Sequence, residues 1–304
     1  MFKSMTVVND HNESLTIEIA NPFATGYNIT AIDGLGPVTA TLWHSESATS
    51  DGYHYNGGRR EARTITITML YMPDESHDIE TLRHQTYRLF GTNREIELIF
   101  ENDSRRVGTK GHVESNEIAI FEEQEGSSIT VVCEDPWFYD ASGNPTPSLE
   151  FSSVEGGFIF PFPSRDDGMI TFGEISTTHS DIVEYAGEAE VGLMITIECN
   201  GTIRNPAIYN EDWDQSIIIY TDKVEAILGS PIKAQDAILI SSVEGNRYVR
   251  LRRDGVDYNI LNAVDRSVVW PTYHPGANTI TYLADEGVDN IVMTVEAQTL
   301  YAGV

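Results

Sequence analysis

Apolar residues recur at every second position in both halves of this chain, and that period demands a β-rich fold. Leu15, Ile17 and Ile19 share one face of an extended segment. So do Ile65, Ile67 and Met69, then Ile96, Leu98 and Phe100, then Ile129, Val131 and Cys133. The second half continues with Val191, Leu193, Ile195, Ile197 and Cys199, followed by apolar runs at 217–220, 238–240, 280–282 and 291–295. Polar residues in between fit antiparallel strands with one face on a core and the other in water. One segment breaks the pattern. Pro73-Asp74-Glu75-Ser76 supplies turn chemistry, Asp78 and Glu80 place acid in a first helical turn, and Ile79, Leu82, Leu89 and Phe90 follow helical spacing. Gly91 is expected in the left-handed cap, and a short helical turn is expected over residues 260–264.

A chain of 304 residues, 40% apolar, fits two domains of ordinary size. The boundary falls in residues 135–148, where Pro136, Gly143, Pro145 and Pro147 deny the backbone a regular element. The expected organisation is an N-terminal β-sandwich with one helix over residues 1–140 and a second, mostly β domain over residues 146–304. No run approaches the ~18 apolar residues that span a bilayer. The opening residues 1–6 carry one lysine and no apolar core, so no secretory signal is expected. Cys133 and Cys199 are too few for a disulfide framework and are expected as buried thiols.

The formal charge is -28, with ten basic and 24 acidic residues in 1–150 and nine and 23 in 151–304. The acidity therefore belongs to the whole surface rather than to a tail. It disfavours static binding to nucleic acid, which needs Lys and Arg on phosphates, and it favours solubility. Acid-rich surfaces of halophiles share this property.

Motifs that carry chemistry are missing. There is no Gly-x-Ser-x-Gly elbow, no phosphate loop ending in Gly-Lys-Ser/Thr, and no Gly-x-Gly-x-x-Gly. No histidine pair has metal-ligand spacing, and the cysteines have no nearby partner. No catalytic, cofactor-binding or metal residue is assigned, and the chain is not read as an enzyme. Three clusters stay open. Glu211-Asp212-Trp213-Asp214 offers oxygen ligands to a hard cation or is a solvated turn, and it lacks the calcium-loop pattern. Arg247, Arg250, Arg252 and Arg253 gather around a hairpin at Asp254-Gly255. They either pair with carboxylates of a neighbouring subunit or line a solvated strand edge. Trp43, Trp137, Trp213 and Trp270 either pack or stack on sugar rings, with Trp137 read as packing at the domain junction.

One ordered set of fragments goes further. An apolar strand breaks at Ile32-Asp33-Gly34-Leu35-Gly36-Pro37-Val38. A glycine-rich irregular loop with Asp51-Gly52 and Gly57-Gly58 follows, and then the strand Arg63-Thr64-Ile65-Thr66-Ile67. Leu89-Phe90-Gly91 and Val132-Cys133-Glu134-Asp135-Pro136-Trp137-Phe138 complete the first half. The second half adds Asn205-Pro206-Ala207-Ile208-Tyr209-Asn210, Gln235-Asp236 ahead of Ile238, Asn259-Ile260-Leu261, Pro275-Gly276-Ala277-Asn278-Thr279-Ile280 and the ending Leu300-Tyr301-Ala302-Gly303-Val304. In this order they resemble the distal tail protein family of bacteriophages with long non-contractile tails.

The resemblance implies a virion structural protein at the distal end of the tail, made in the host cytoplasm. It implies a ring-forming N-terminal domain, a homo-oligomer of six copies around a channel, and an outward galectin-like sandwich. The implied partners are the tail tube protein and the tail-tip hub protein, with tape measure and receptor-binding proteins as further neighbours. DNA would pass through the channel without specific binding, and no membrane insertion is implied. A hexamer would carry -168 formal charges, 6 × -28, and those lining the lumen would repel passing DNA. Gly34, Leu35, Gly36 and Pro37 are expected to form a structural turn, with glycine freedom fixed by the proline. Together with the four arginines, that turn is a candidate interface. Gln235 stands where the family often has glycine, which opens that turn to a different geometry. Residues 156–187 match none of the fragments and are read as an extended arm. The alternative reading is a carbohydrate-binding adhesion module that attaches the virion to the host surface. A cell-wall hydrolase is a third, for which the sequence offers no residues.

Overall fold

The computed structural model describes residues 2–47, 49, 51–120, 123–143, 148–152 and 179–304. Pro145, Pro147 and most of the 156–187 segment lie outside the described residues. Only its end, from His179, is seen, and there Ser180–Tyr185 is a strand. The chain divides into two compact units: Met1–Asn144 together with Leu300–Val304, and Pro145–Thr299.

In the first unit the strands are β1 (Phe2–Asn9), β2 (Ser14–Glu18), β3 (Tyr27–Asp33), β4 (Ala40–Glu46), β5 (Tyr53–Arg60) and β6 (Arg63–Tyr71). Helix α1 (Ile79–Leu89) follows, then β7 (Glu95–Asn102), β8 (Arg106–Ala119), β9 (Gly126–Cys133) and β10 (Phe138–Asp140). One nine-stranded sheet has seven strands in the order β2-β1-β7-β8-β9-β6-β3, with β10 paired to β8 off that path. The period-two residues line one face of it. Met5, Val7, Ile17, Ile65, Ile67, Met69, Ile96, Leu98, Phe100, Ile129, Val131 and Cys133 all join a single buried core. The end strands β2 and β3 approach one another, so the sheet curls around that core. Burying each of these side chains contributes about 1.5–3 kcal/mol.

Helix α1 closes the core with Leu82, Thr86 and Leu89. The Asp78 carboxylate caps its N-terminus by accepting from the Glu80 amide, and Arg83 reaches Glu125 at 2.6 Å. Its end differs from the expectation. Phe90 is the C-cap, with its carbonyl held by the Asn116 amide group at 3.1 Å. The left-handed residue of the following turn is Asn93 (φ 60°) rather than Gly91.

In the second unit the elements are β11 (Ser148–Ser152), β12 (Ser180–Tyr185), β13 (Val191–Gly192), β14 (Met194–Cys199), β15 (Ala207–Asn210), β16 (Gln215–Ile218) and α2 (Thr221–Leu228). They continue with β17 (Ala237–Ser241), β18 (Tyr248–Arg253), β19 (Val256–Asn259), β20 (Thr272–Tyr273), β21 (Gly276–Leu283) and β22 (Ile291–Glu296). One sheet runs β11-β22-β14-β17-β18-β19 and another runs β12-β21-β15-β16. Each buries one face, through Ile195, Ile197, Ile238, Ile240, Leu251 and Met293 in the first and Val183, Ile217, Ile280 and Tyr282 in the second. This is a β-sandwich. The turn expected over residues 260–264 is a 3-10 helix at Leu261–Ala263. Helix α2 was not signalled by apolar period, because its buried face is only Thr221 and Val224. What starts it is Asn205, in the left-handed region at φ 47°, whose side-chain oxygen accepts from the Thr221 amide at 3.0 Å.

The last strand, β23 (Leu300–Tyr301), pairs with β10 through Phe138↔Tyr301 and Tyr139↔Leu300. The chain's last five residues, Leu300–Val304, therefore belong to the first compact unit, and the second unit runs to Thr299. Cys133 and Cys199 are buried free thiols, and burial pushes the Cys199 thiol up to about 12.

The turn at Gln235 keeps the backbone a glycine would take, since Gln235 itself sits at φ 71°. What holds it there is its neighbour. Asp236, 2% exposed, takes Arg253 in a fork, with Nε at 2.8 Å and Nη2 at 2.5 Å, and also accepts from the Lys233 amide at 2.9 Å. Burial alone would raise the Asp236 carboxyl, but these hydrogen bonds outweigh it and hold it below the usual carboxylate value. A depressed folded-state value adds stability that is full above the free value near ~4 and is lost as pH falls through the folded one. Urea midpoints of the wild type are expected to drop on acidification below about pH 4. Asp236→Asn should be less stable at pH 7 and should lose part of that acid slope.

Candidate functional site

Arg63 sits on the buried face of β6, in phase with Ile65, Ile67 and Met69, and is 1% exposed. An arginine there must spend its five N–H donors on protein acceptors. Nη1 donates to the Gly34 carbonyl at 2.5 Å and to the Gly36 carbonyl at 2.7 Å. Nε and Nη2 fork onto the Pro136 carbonyl at 3.1 and 2.7 Å, and Nη2 also reaches the Ala302 carbonyl at 2.8 Å. The guanidinium lies 4.0 Å from the Phe138 ring centroid. Burial lowers its affinity for the proton, with Cys133 and Asp135 opposing that effect, and an arginine stays charged regardless.

The three fragments gathered by Arg63 are those that opened and closed the sequence pattern. Gly34 (φ 89°) has no room for a side chain, because a Cβ would stand 2.1 Å from the Thr64 carbonyl oxygen. Gly36 is different: its φ is not positive and nothing crowds it, so the structural demand there is for its carbonyl. Leu35 leans on the core, and its carbonyl accepts from the Val304 amide at 3.1 Å. Around this knot Arg60 covers Trp137 at 4.6 Å and Arg105 covers Tyr301 at 4.5 Å. Trp137 is thus a packed residue of the first unit.

Between the two feet held by Arg63 the chain makes a hairpin where an irregular loop was expected. β4 pairs with β5 from Ala40↔Arg60 to Glu46↔Tyr53, with a bulge between Trp43 and His44. Among the described residues neither strand joins another sheet. Leu42, Trp43, Tyr53 and Tyr55 are 54%, 52%, 67% and 70% exposed. Residues 40–60 hold Arg59 and Arg60 against Glu46 and Asp51, so the arm is neutral on a chain of charge -28.

The arginine cluster lies in the second unit, apart in sequence and unit from the Gly34–Pro37 bend. Arg253 turns inward to Asp236. Arg252 forks onto Asp257 at 2.7 and 3.1 Å, Arg250 covers Tyr248 at 4.3 Å, and Arg247 lies 5.7 Å from Trp270. Arg247, Arg250 and Arg252 are exposed. In Glu211-Asp212-Trp213-Asp214 the carboxylates are spent locally, Glu211 on the Thr281 hydroxyl at 2.6 Å and Asp212 on the Thr279 amide at 2.6 Å. Among the described residues no group of His, Cys, Asp and Glu is placed to hold a metal ion, and no helix is long and apolar enough to cross a membrane.

Arg63→Lys should lower stability by roughly 3–5 kcal/mol, since three donors cannot satisfy the carbonyls that five now serve. Removing Leu300–Val304 should cost less, and the two changes should be non-additive in denaturant titrations because they share the Ala302 contact.

Comparison with known proteins places this geometry. Residues 25–144 match the phage tail protein RIFT-related domain family. That span holds the hairpin, Arg63 and every carbonyl it binds except that of Ala302. Among solved structures, the Dit protein of phage SPP1, described as a paradigm of the hub adsorption apparatus in phages infecting Gram-positive bacteria, is 10% identical with a TM-score of 0.63. The match covers 97% of this chain and 98% of that one. A chain of the phage P2 baseplate in its activated conformation with calcium is 10% identical with a TM-score of 0.48, over 98% of each chain. No curated protein sequence matches. Residues 25–144 thus match the phage tail protein RIFT-related domain, and over nearly its whole length the chain has the fold of the SPP1 Dit protein.

Proposed function

We propose that this protein is a structural component of a phage tail tip whose work is assembly rather than catalysis. Its first unit forms a closed ring of copies, six by analogy with the family, between the tail tube protein and the tail-tip hub. The observation that carries the reading is the exposed β4–β5 hairpin. A two-stranded arm is marginal in water on its own, and four large apolar side chains on it, Leu42, Trp43, Tyr53 and Tyr55, are each more than half exposed. Arg63 fixes both feet, so the arm is presented by a rigid base and not tethered loosely. Its neutrality lets it bury against an acidic copy without desolvating unpaired charge, and a head-to-tail contact of this kind closes into a ring when the rotation allows.

The exposed Arg247, Arg250 and Arg252 are candidate contacts to carboxylates of a neighbour, and the galectin-like character of the second unit is part of the same proposal. The acidic surplus fits a channel whose wall repels DNA. An experimental ring with a lumen lined by Arg and Lys would remove that part of the proposal.

Light scattering behind size exclusion, with negative-stain images of the same peak, should give a ring near six times 33.8 kDa. Trp43→Asp with Tyr55→Asp should yield a folded monomer with unchanged circular dichroism. A wild type that stays monomeric at high concentration, and also with tail tube and hub proteins added, would overturn the ring.

A further inference from the structure

We propose that the second unit closes on itself with an ester between the Thr272 hydroxyl and the Gln215 side chain, formed by its own residues with release of ammonia. Gln215 opens β16 and Thr272 opens β20, 57 residues apart in sequence, and both are buried. The Gln215 Oε1 accepts from the Thr272 main-chain N–H at 2.8 Å, which fixes how the side-chain amide is turned. Its Nε2 then donates to the Thr272 hydroxyl oxygen at 2.8 Å, and that oxygen lies 3.3 Å from Oε1. The amide carbon is bonded to both atoms, so it is held within reach of the hydroxyl.

Two further groups converge on the same hydroxyl. It donates to the Glu190 carboxylate at 2.8 Å. His274 Nε2 lies 3.3 Å from its oxygen, 3.4 Å from the Gln215 nitrogen and 3.8 Å from Glu190. The surroundings keep these positions. Trp213 stacks on the imidazole with centroids 3.7 Å apart and planes at 16°, covering it. Asn278, fully buried, accepts from the His274 amide at 2.9 Å and donates to the His274 carbonyl at 2.7 Å. Asn210, also fully buried, donates to the Thr272 carbonyl at 2.8 Å.

A plain hydrogen bond between Gln215 and Thr272 needs neither the carboxylate nor the imidazole. A hydroxyl, a base beside it, a carboxylate supporting the base and an N–H on the acyl oxygen are the parts that acyl transfer requires. Thr272 Oγ1 attacks the Gln215 amide carbon while His274 Nε2 takes the hydroxyl proton. The carbonyl electron pair moves onto Oε1, where the Thr272 N–H meets the developing charge. When the intermediate collapses, the C–N bond breaks and His274 returns the proton to the departing nitrogen, which leaves as ammonia. Glu190 orients the hydroxyl beforehand and stabilises the imidazolium in between. One C–O bond replaces one C–N bond, and nothing is oxidised or reduced. The reaction runs once per chain with no turnover, so it agrees with a structural role. The product ties β16 covalently to β20, in a buried place that keeps water from the ester.

Mass spectrometry of the full-length protein tests this. The intact mass should fall about 17 Da, one ammonia, below that of the sequence. Trypsin should release residues 205–223 and 267–304 as one joined species. Mild alkali should part them and leave the 205–223 fragment about 1 Da heavier at position 215, because the hydrolysed ester leaves a carboxylate where the amide was. Thr272→Val should show the full mass and separate fragments, and Thr272→Ser should keep the link. Glu190→Gln, at a side chain 55% exposed, should leave circular dichroism unchanged and slow the loss of ammonia in newly refolded protein by roughly tenfold or more. A wild type with full mass and separate fragments, both fresh and after prolonged storage at neutral pH, would overturn the ester. So would a joined species that survives Thr272→Val, and a rate unmoved by both Glu190→Gln and His274→Gln would overturn the machinery assigned to it. None of these readouts depends on the ring, so the ester can fail while the assembly reading stands.

Discussion

A buried guanidinium that satisfies itself on main-chain carbonyls is the constraint on which the first unit depends. Arg63 contacts Gly34 and Gly36 before the hairpin, Pro136 after β9, and Ala302 at the chain's end. The farthest of these acceptors lies 239 residues from Arg63 in sequence. A carboxylate partner would tie Arg63 to one segment; carbonyl acceptors let one side chain tie three. Desolvating an arginine is costly, and the cost is recovered only when all donors are used at once. The three segments are therefore cooperative: losing one strands the others with an unsatisfied charge. This explains why the last five residues leave the second unit to pair with β10, and why Leu35, Tyr301 and Val304 pack on the first unit's core.

Most of the architecture was legible because period two is a direct readout of which face is buried. The same period also contained the signal for Arg63, since it falls two residues before Ile65 on the inward face. Other pieces were illegible for physical reasons. The β4–β5 hairpin buries nothing, so its sequence carries no alternation and its glycines suggest a loop. Helix α2 has too small a buried face to show a period, and its start depends on Asn205, a residue outside the helix. The second half's fragments proved to be local locks. Asn205 caps α2, Asp236 binds Arg253, Asn278 ties the 274–276 loop, and Asn259 accepts from the Leu261 amide at 3.0 Å. Each pairs a polar side chain with backbone or a distant charge, and such pairings have no periodicity to reveal them.

The arginine cluster shows how composition can mislead about location. Four arginines within seven residues suggest a basic surface on an acidic protein, yet strand alternation separates their roles. Arg250 and Arg252 alternate with buried Val249 and Leu251, while Arg253 at the strand's end turns to Asp236. Only the outward members can meet another molecule, and Arg252 already shares its charge with Asp257. Exposed pairs of this kind are worth little to stability, so their exchange for a neighbour's carboxylate would be nearly free.

The two units illustrate two ways to hold an exposed aromatic. In the first, the hairpin's rings are carried by main-chain pairing, with Tyr53 against His44 at 4.8 Å, and gain rigidity from the Arg63 clamp at the base. In the second, Trp213 is braced from beneath by His274 and a buried amide frame. A flat arm with spread apolar side chains offers area, which suits a macromolecular partner that can cover it. The same residue type is thus held in two ways because the support beneath it differs: paired main chain above a buried guanidinium in the first unit, and a histidine locked by a buried amide in the second.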